Sequence, residues 1–172
     1  MESIKTRIIN APQMSGIQTL SASRVDEDGN TVNDFAVSTS TLRHILIPDG
    51  AYVVGAHVVC DTALVGEGAS TIVIGYPAGT SQVDGSSAVA ASANAIMASF
   101  NIASAAAGAH NVSDSWVYPP TTTNSTYSSS GEKVVVVEAK IAVATTAATA
   151  GKLHWWVDYA FLPNKVWDQD TL

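Results

Sequence analysis

The strongest pattern of hydrophobic and polar positions lies near the C-terminus. Between Lys152 and Leu162 every second position is large and apolar, namely Leu153, Trp155, Val157, Tyr159 and Phe161. Because successive side chains of a strand point to opposite faces, this alternation predicts a β-strand whose apolar set faces the core. Lys133–Thr145 predicts a second strand, with core-facing Val135, Val137, Ala139, Ile141 and Val143. The short connection 146–151 predicts that these two strands form a hairpin.

The middle of the chain predicts further strands separated by turn residues. Arg43–Ile47 is typical of a strand that ends at the turn Pro48-Asp49-Gly50. Ala51–Cys60 is apolar on both faces, which indicates burial on both sides, inside a sandwich or against a neighbouring subunit. Ser70–Gly75 predicts another short strand. Ser87–Ala98 is rich in alanine and is the single helix candidate.

The two ends of the chain and one internal segment lack a strong core pattern. We expect 1–41 to be an N-terminal arm without a core element, with a possible hairpin where Asp28-Gly29 forms a turn. Residues 42–162 form the predicted body, and 163–172 a C-terminal tail. Within the body, 103–131 is rich in Ala, Ser and Thr and predicts a long loop. The predicted fold is all-β, a jelly-roll-like antiparallel β-sandwich with an extended arm and a long Ser/Thr-rich loop.

Composition narrows the choice of partners. The chain has 172 residues, of which 47% are hydrophobic and only 13% charged, and its net charge is −7. An acidic protein with few Lys and Arg residues is not expected to bind nucleic acid or an anionic membrane surface. No long apolar run follows Met1, so no secretory signal peptide is expected.

Residues with potential chemistry are scattered along the sequence. His44, His57, His110 and His154 have no metal-binding spacing, and only His154 has a carboxylate, Asp158, nearby on its own strand face. Gly66-Glu67-Gly68-Ala69 is interpreted as a strand connection, and Asp26-Glu27-Asp28 as a solvated turn. We therefore expect no catalytic, cofactor-binding or metal-binding residue, no cofactor, and no enzymatic activity.

The remaining signal is apolar surface. The candidates for an interface are Ile4, Ile8, Ile9, Trp116, Trp156 and Trp167. The three isoleucines suit an extended strand added to the edge of a neighbour's sheet. The tryptophans are explained either by burial at an edge of the same domain or by an interface, where tryptophan is enriched.

The order of these segments resembles a known family. Three segments look like the body of small β-sandwich structural proteins of tailed bacteriophages: Ile45–Val54, with its strand, turn and start of the next strand; Cys60–Gly75, with its small-residue loop and final Ile74-Gly75 step; and Ala148–Tyr159, with its aromatic strand. The resemblance covers about Leu42 to Phe161.

The resemblance implies a function through protein contacts. It suggests a virion component, most often a jelly-roll capsid decoration (cement) protein, commonly a homotrimer, that binds the major capsid protein on the capsid surface and is made in the host cytoplasm. The alternative is a tail- or fibre-associated β-sandwich module that binds a receptor or a carbohydrate.

Overall fold

In the computed structural model, the described part of the chain consists of β-strands, turns and irregular segments. It comprises residues 12–66, 70–81, 87–113, 121–122, 134–143 and 145–161, and it contains no helix. In chain order the strands are β1 Gln13–Met14, β2 Gln18–Ser21, β3 Arg24–Val25, β4 Thr31–Val32, β5 Ser38–Pro48, β6 Tyr52–Val65, β7 Ser70–Tyr76, β8 Gly79–Ser81, β9 Ala88–Val89, β10 Ser92–Asn101, β11 His110–Ser113, β12 Thr121–Thr122, β13 Val134–Val143 and β14 Ala150–Ala160.

Two antiparallel sheets organise these strands. The first sheet has the order β1-β14-β6-β11, and β2 also pairs with β14. The second sheet has the order β10-β7-β13-β5. Smaller sheets are formed by β12-β8-β9 and by β3-β4. Both large sheets contribute buried side chains to one hydrophobic cluster. The described residues form antiparallel strands and no helix, so the prediction of an all-β fold is confirmed.

The predicted hairpin of the last two strands is wrong, because β13 and β14 belong to different sheets. β13 pairs with β5 and β7, whereas β14 pairs with β6, β1 and β2. The connection between them is held by other segments: the Ala148 amide donates to the Phe35 carbonyl, and the Thr149 amide donates to the Val65 carbonyl. β13 buries its whole predicted apolar set. β14 buries Leu153, Trp155 and Val157, but the prediction is wrong for Tyr159 and Phe161, which are only partly buried, because a register shift lies between Asp158 and Tyr159.

The predicted helix over Ser87–Ala98 is also wrong. The segment forms β9 and most of β10, and Met97 is the register partner of Ile74 on β7. Gly75 allows this close pairing, because a Cβ atom there would collide with the carbonyl oxygen of Ser92. The alanine preference for helix is a weak local effect, and pairing with a neighbouring strand overrides it.

The core faces of the long strands follow the predicted alternation, with one interruption. Leu153, Trp155 and Val157 are fully buried, as are their counterparts Val135, Val137, Ala139 and Ile141 on β13. In β6 the buried apolar side chains are those of Val53, Ala56, Val58, Cys60 and Leu64. The step from Val53 to Ala56 breaks the period of two, because a register shift lies between the pairs Asp158–Gly55 and Tyr159–Val53.

The N-terminal segment contributes to the core, and the expectation that it supplies no core element is wrong. Leu20 and Phe35 are both 0% exposed. The predicted turn at Asp28-Gly29 is confirmed, since it joins β3 to β4 and Gly29 has a φ of 84°. The boundaries at 41 and 162 remain predictions, and 163–172 lies outside the described residues. Within 103–131, His110–Ser113 forms the edge strand β11.

A buried carboxylate fixes this N-terminal segment. The Asp34 side chain is 0% exposed and accepts hydrogen bonds from Arg24 Nε at 3.0 and 3.1 Å and from Arg43 Nη2. It also accepts one from the Ser21 amide at 3.0 Å. Because a buried charge is costly without partners, these donors hold the hairpin β3-β4 and strand β5 around one point.

Removing this charge should destabilise the fold. We expect Asp34→Asn to lower the free energy of unfolding by about 2–3 kcal/mol, since two arginines lose their partner but remain partly accessible to water. Urea denaturation measures this change. The control is Lys152→Ala, which removes an exposed pair with Asp61 at 3.6 Å and should cost less than about 1 kcal/mol. Equal effects of the two substitutions would contradict the assigned role of Asp34.

Candidate functional site

Of the predicted interface residues, Trp156 lies in the described part of the chain. Ile4, Ile8, Ile9, Trp116 and Trp167 lie outside the described residues. Trp156 is partly buried and follows the core residue Trp155, so it stands on the face of β14 that points away from the core. The sequence assigned Trp156 to this outer face, and the structure confirms that assignment.

The register of the first sheet brings three further residues beside Trp156. Trp156 pairs with His57 on β6, and His57 pairs with Val112 on β11. On the other side of β14, Gln18 pairs with Trp155 and Met14 pairs with Asp158, so Ile17, in the connection between β1 and β2, lies in the segment that passes Trp156. We call Ile17, Trp156, His57 and Val112 the outer stripe. At about 4.8 Å between neighbouring strands, it spans about 15 Å across the sheet.

The rings at the centre of the outer stripe are stacked. The His57 and Trp156 rings lie 4.8 Å apart between centroids and are inclined by 7°. His110, from the edge strand β11, lies edge to edge with His57, with the ring centroids 5.4 Å apart and the ring planes inclined by 26°, and its centroid is 6.0 Å from that of Trp156. Three rings from three strands therefore pack together. This packing restricts their rotamers and stabilises the fold beyond the contribution from burial of apolar area.

Hydrogen bonds occupy both nitrogens of His57. Its Nε2 lies 3.0 Å from Asp158 Oδ2, and its Nδ1 lies 3.2 Å from His110 Nε2. The side chains of His57 and Asp158 are 16% and 32% exposed. The result is a connected chain Asp158–His57–His110 packed against Trp156.

The Asp158 carboxylate pairs with a different histidine from the one that the sequence pattern indicated. Asp158 was expected near His154, but the structure pairs Asp158 with His57, and His154 Nδ1 lies 2.9 Å from Thr19 Oγ1. His57, His110 and Asp158 are far apart in sequence, and the register of three strands brings them together. The alternation along β6 does indicate that the His57 side chain points away from the core. This was the one local feature of the sequence that indicated its position.

Exposed apolar side chains surround this cluster. Ile17 is 53% exposed and Val112 is 39% exposed, and Met14, the register partner of Asp158, is 58% exposed. Asp158 is the charged residue beside the rings. The arrangement suits contact with another macromolecule, since tryptophan and aliphatic groups with few charges are typical of the centres of protein interfaces.

Other reactive groups lie away from this surface. The Cys60 thiol is buried, and burial together with the negative charge of Asp61 raises its pKa above the ordinary value. Within the residues that the structure describes, no group of three His, Cys, Asp or Glu side chains is arranged to hold a metal ion.

Comparisons with protein-family models, with curated proteins and with solved structures found no match to this chain. The described residues include no helix able to cross a membrane.

The ring stack and the hydrogen-bonded chain should both contribute to stability. We expect His57→Ala to lower the free energy of unfolding by about 1–2 kcal/mol, because Trp156 loses a stacked ring and Asp158 loses a donor. His57→Phe should cost less, since it restores a ring but no donor. The measurement is urea denaturation, with His154→Ala as control. If His154→Ala lowers the free energy of unfolding as much as His57→Ala does, the packed rings contribute no more to stability than a surface hydrogen bond.

Proposed function

We propose that this protein is a structural virion protein that binds and stabilises a bacteriophage capsid shell through protein–protein contacts. Its partners are then the major capsid protein and further copies of itself, and its location is the capsid surface after synthesis in the host cytoplasm. We also propose that the two large sheets form a jelly-roll-like sandwich. The resemblance of Leu42 to Phe161 to phage structural proteins supports both proposals, and so does the antiparallel all-β architecture.

The observation that carries the proposal is the outer stripe with its exposed neighbour Met14. Apolar and aromatic side chains from both edges and the centre of one sheet stand on the same side, next to a single carboxylate. A surface of this kind costs solubility unless a partner covers it. Many copies on a shell would each contribute modest contacts, and oligomeric copies would add avidity.

A charge placed in the outer stripe should weaken attachment without unfolding the protein. We expect Ile17→Asp to reduce binding at least about tenfold, because a carboxylate would be desolvated in the contact. The assay is binding of the purified chain to capsid shells from which it has been stripped, with the melting temperature measured in parallel.

The matched control is Val37→Asp, since Val37 is 55% exposed and Ile17 is 53% exposed, yet Val37 lies outside the stripe. The control should bind like the unaltered protein. Full binding by Ile17→Asp would show that the outer stripe is not part of the attachment surface. Absence of the unaltered protein from purified virions would overturn the proposed function.

Self-association as a trimer is a separate part of the proposal. Apolar residues on both faces of Ala51–Cys60 and of Val134–Val143 predict self-association. In the structure, however, Val136 on β13 is already covered within the chain, at 0% exposure. Its register partner Leu46, on β5 at the edge of the second sheet, is 44% exposed. This edge is the site that we propose for contact between copies.

Sedimentation of the purified protein tests this contact. We expect a mass about three times the chain mass of 17.8 kDa at micromolar concentration. Leu46→Asp should shift the population toward the single chain, whereas Val65→Asp, an exposed substitution outside β5, should not. A value of 17.8 kDa for the unaltered protein would contradict the trimer.

One observation favours a second candidate, a receptor- or carbohydrate-binding module of a tail or fibre. Trp156 stands beside the Asp158 carboxylate and two imidazoles, and small-ligand sites combine aromatic side chains with a few polar groups. Counting copies in purified virions by mass spectrometry separates the two functions. Hundreds of copies would support the shell protein, and about a dozen would support the tail module.

A further inference from the structure

We propose that His57 and His110 form a binding site for one divalent transition-metal ion of the Zn²⁺ type, with Asp158 positioning His57. The His57 Nδ1 and His110 Nε2 atoms lie 3.2 Å apart, and His57 Nε2 lies 3.0 Å from Asp158 Oδ2. The site has two protein ligands, so it agrees with the absence of a three-ligand group among the described residues. It goes beyond the proposed function and does not depend on it.

The spacing of the two imidazole nitrogens fits a shared metal ion. In tetrahedral zinc sites the Zn–N distance is about 2.0–2.1 Å, so two nitrogen ligands of one ion stand about 3.3–3.4 Å apart. The observed separation of 3.2 Å is close to this value. The ion would lie beside the line that joins the two nitrogens, so the His110 ring must turn toward it. Because His110 is exposed on the edge strand β11, this turn requires no movement of the core.

Asp158 prepares His57 to act as a ligand. An ionised carboxylate only accepts hydrogen bonds, so a neutral His57 donates its Nε2–H to Asp158 and keeps its lone pair on Nδ1. Nδ1 is the nitrogen that faces His110. Metal-binding histidines commonly donate their other ring N–H to a carboxylate, which fixes the tautomer and the ring orientation and raises the basicity of the ligand. Asp158 is therefore a positioning residue and not a ligand.

The ion would replace the hydrogen atom that the two imidazoles share. In the metal-free pair, His110 Nε2–H donates to the lone pair on His57 Nδ1. On binding, both of these nitrogens direct a lone pair at the ion, and the hydrogen of His110 moves through water to Nδ1 of the same ring. Both rings stay neutral. The exchange therefore breaks one N–H···N hydrogen bond and forms two metal–nitrogen bonds, with no net release of a proton.

The surroundings of the pair favour a cation with a preference for nitrogen. The His57 ring packs on Trp156 with the centroids 4.8 Å apart, so the orientation of this ligand is restricted before an ion arrives. The Asp158 carboxylate lies beside the site, and the chain has a net charge of −7. Imidazole suits Zn²⁺, Ni²⁺ and Cu²⁺, whereas Mg²⁺ and Ca²⁺ prefer oxygen ligands. Since the contact between the two histidines is exposed, water can fill the remaining coordination positions.

Calorimetric titration of the untagged full-length protein with ZnCl₂ at about pH 7.5 tests the site. We expect one ion per chain. Two of the four ligands of a closed zinc site should supply about half of its binding free energy, which corresponds to a dissociation constant on the order of 1–100 µM. MgCl₂ is the control titrant and should not bind. In NMR spectra of the imidazole nitrogens, His57 Nδ1 and His110 Nε2 should shift on saturation with Zn²⁺, and the nitrogens of His154 should not.

Variants assign the role of each residue. His57→Asn and His110→Asn each remove one ligand and should weaken Zn²⁺ binding at least about tenfold. His154→Asn is the matched control, because His154 is on the same face but bonded to Thr19, and it should bind Zn²⁺ like the unaltered protein. Asp158→Asn keeps an acceptor for His57 Nε2–H but removes the charge. We expect it to weaken binding about tenfold, while the same two nitrogens still respond to the ion.

The melting temperature of each variant shows whether it is folded. His110 is exposed on an edge strand, so His110→Asn keeps the test decisive if His57→Asn does not fold.

Three results would overturn the site. The first is no binding of Zn²⁺ by the unaltered protein up to about 1 mM. The second is unchanged binding in His57→Asn or His110→Asn, which would show an adventitious ion only. The third is loss of binding in the control His154→Asn. Equal affinity of Asp158→Asn would overturn the role of Asp158. Because the titration uses the isolated chain, failure to bind shells would reject the proposed function and leave the metal site in place.

Discussion

The pairing of β14 with β6 is the constraint on which both the core and the candidate site depend. On one side of these two strands stand Trp155, Val157 and Val58, all fully buried. On the other side stand Trp156 and His57, in contact through their rings. Because side chains alternate along a strand, a slip of one residue would exchange the two sets and expose the core face. The hydrophobic core therefore fixes the register that assembles the outer stripe.

Local sequence pattern was sufficient for the long strands β6, β13 and β14 and for most of their core faces, and insufficient for their partners. The alternation at Leu153, Trp155 and Val157 identified β14 and its buried side correctly. The same pattern could not show that β13 joins β5 and β7, because pairing depends on which strands cover the core together and not on distance in sequence. The alanines of Ser87–Ala98 led to the wrong prediction of a helix for a related reason. Strand pairing with β7 outweighs the small helix preference of alanine. The partners of Asp34 were hidden as well, because its arginines come from two different strands.

The candidate site was predictable in part. Trp156 was identified as an outer-face aromatic, because it interrupts an otherwise polar face of β14. His57 and His110 were interpreted as isolated residues, although the register places them in one cluster with Asp158. Nothing in their spacing of 53 positions reports contact. The predicted residues Ile4, Ile8, Ile9, Trp116 and Trp167 lie outside the described part of the chain and remain predictions.

Stacking and hydrogen bonding give the outer stripe a defined shape before any partner arrives. His57 has both nitrogens engaged, its ring packs against Trp156, and His110 lies beside both rings, so the rotamer of His57 is restricted. A surface whose side chains are already ordered loses less conformational entropy on binding than a mobile one.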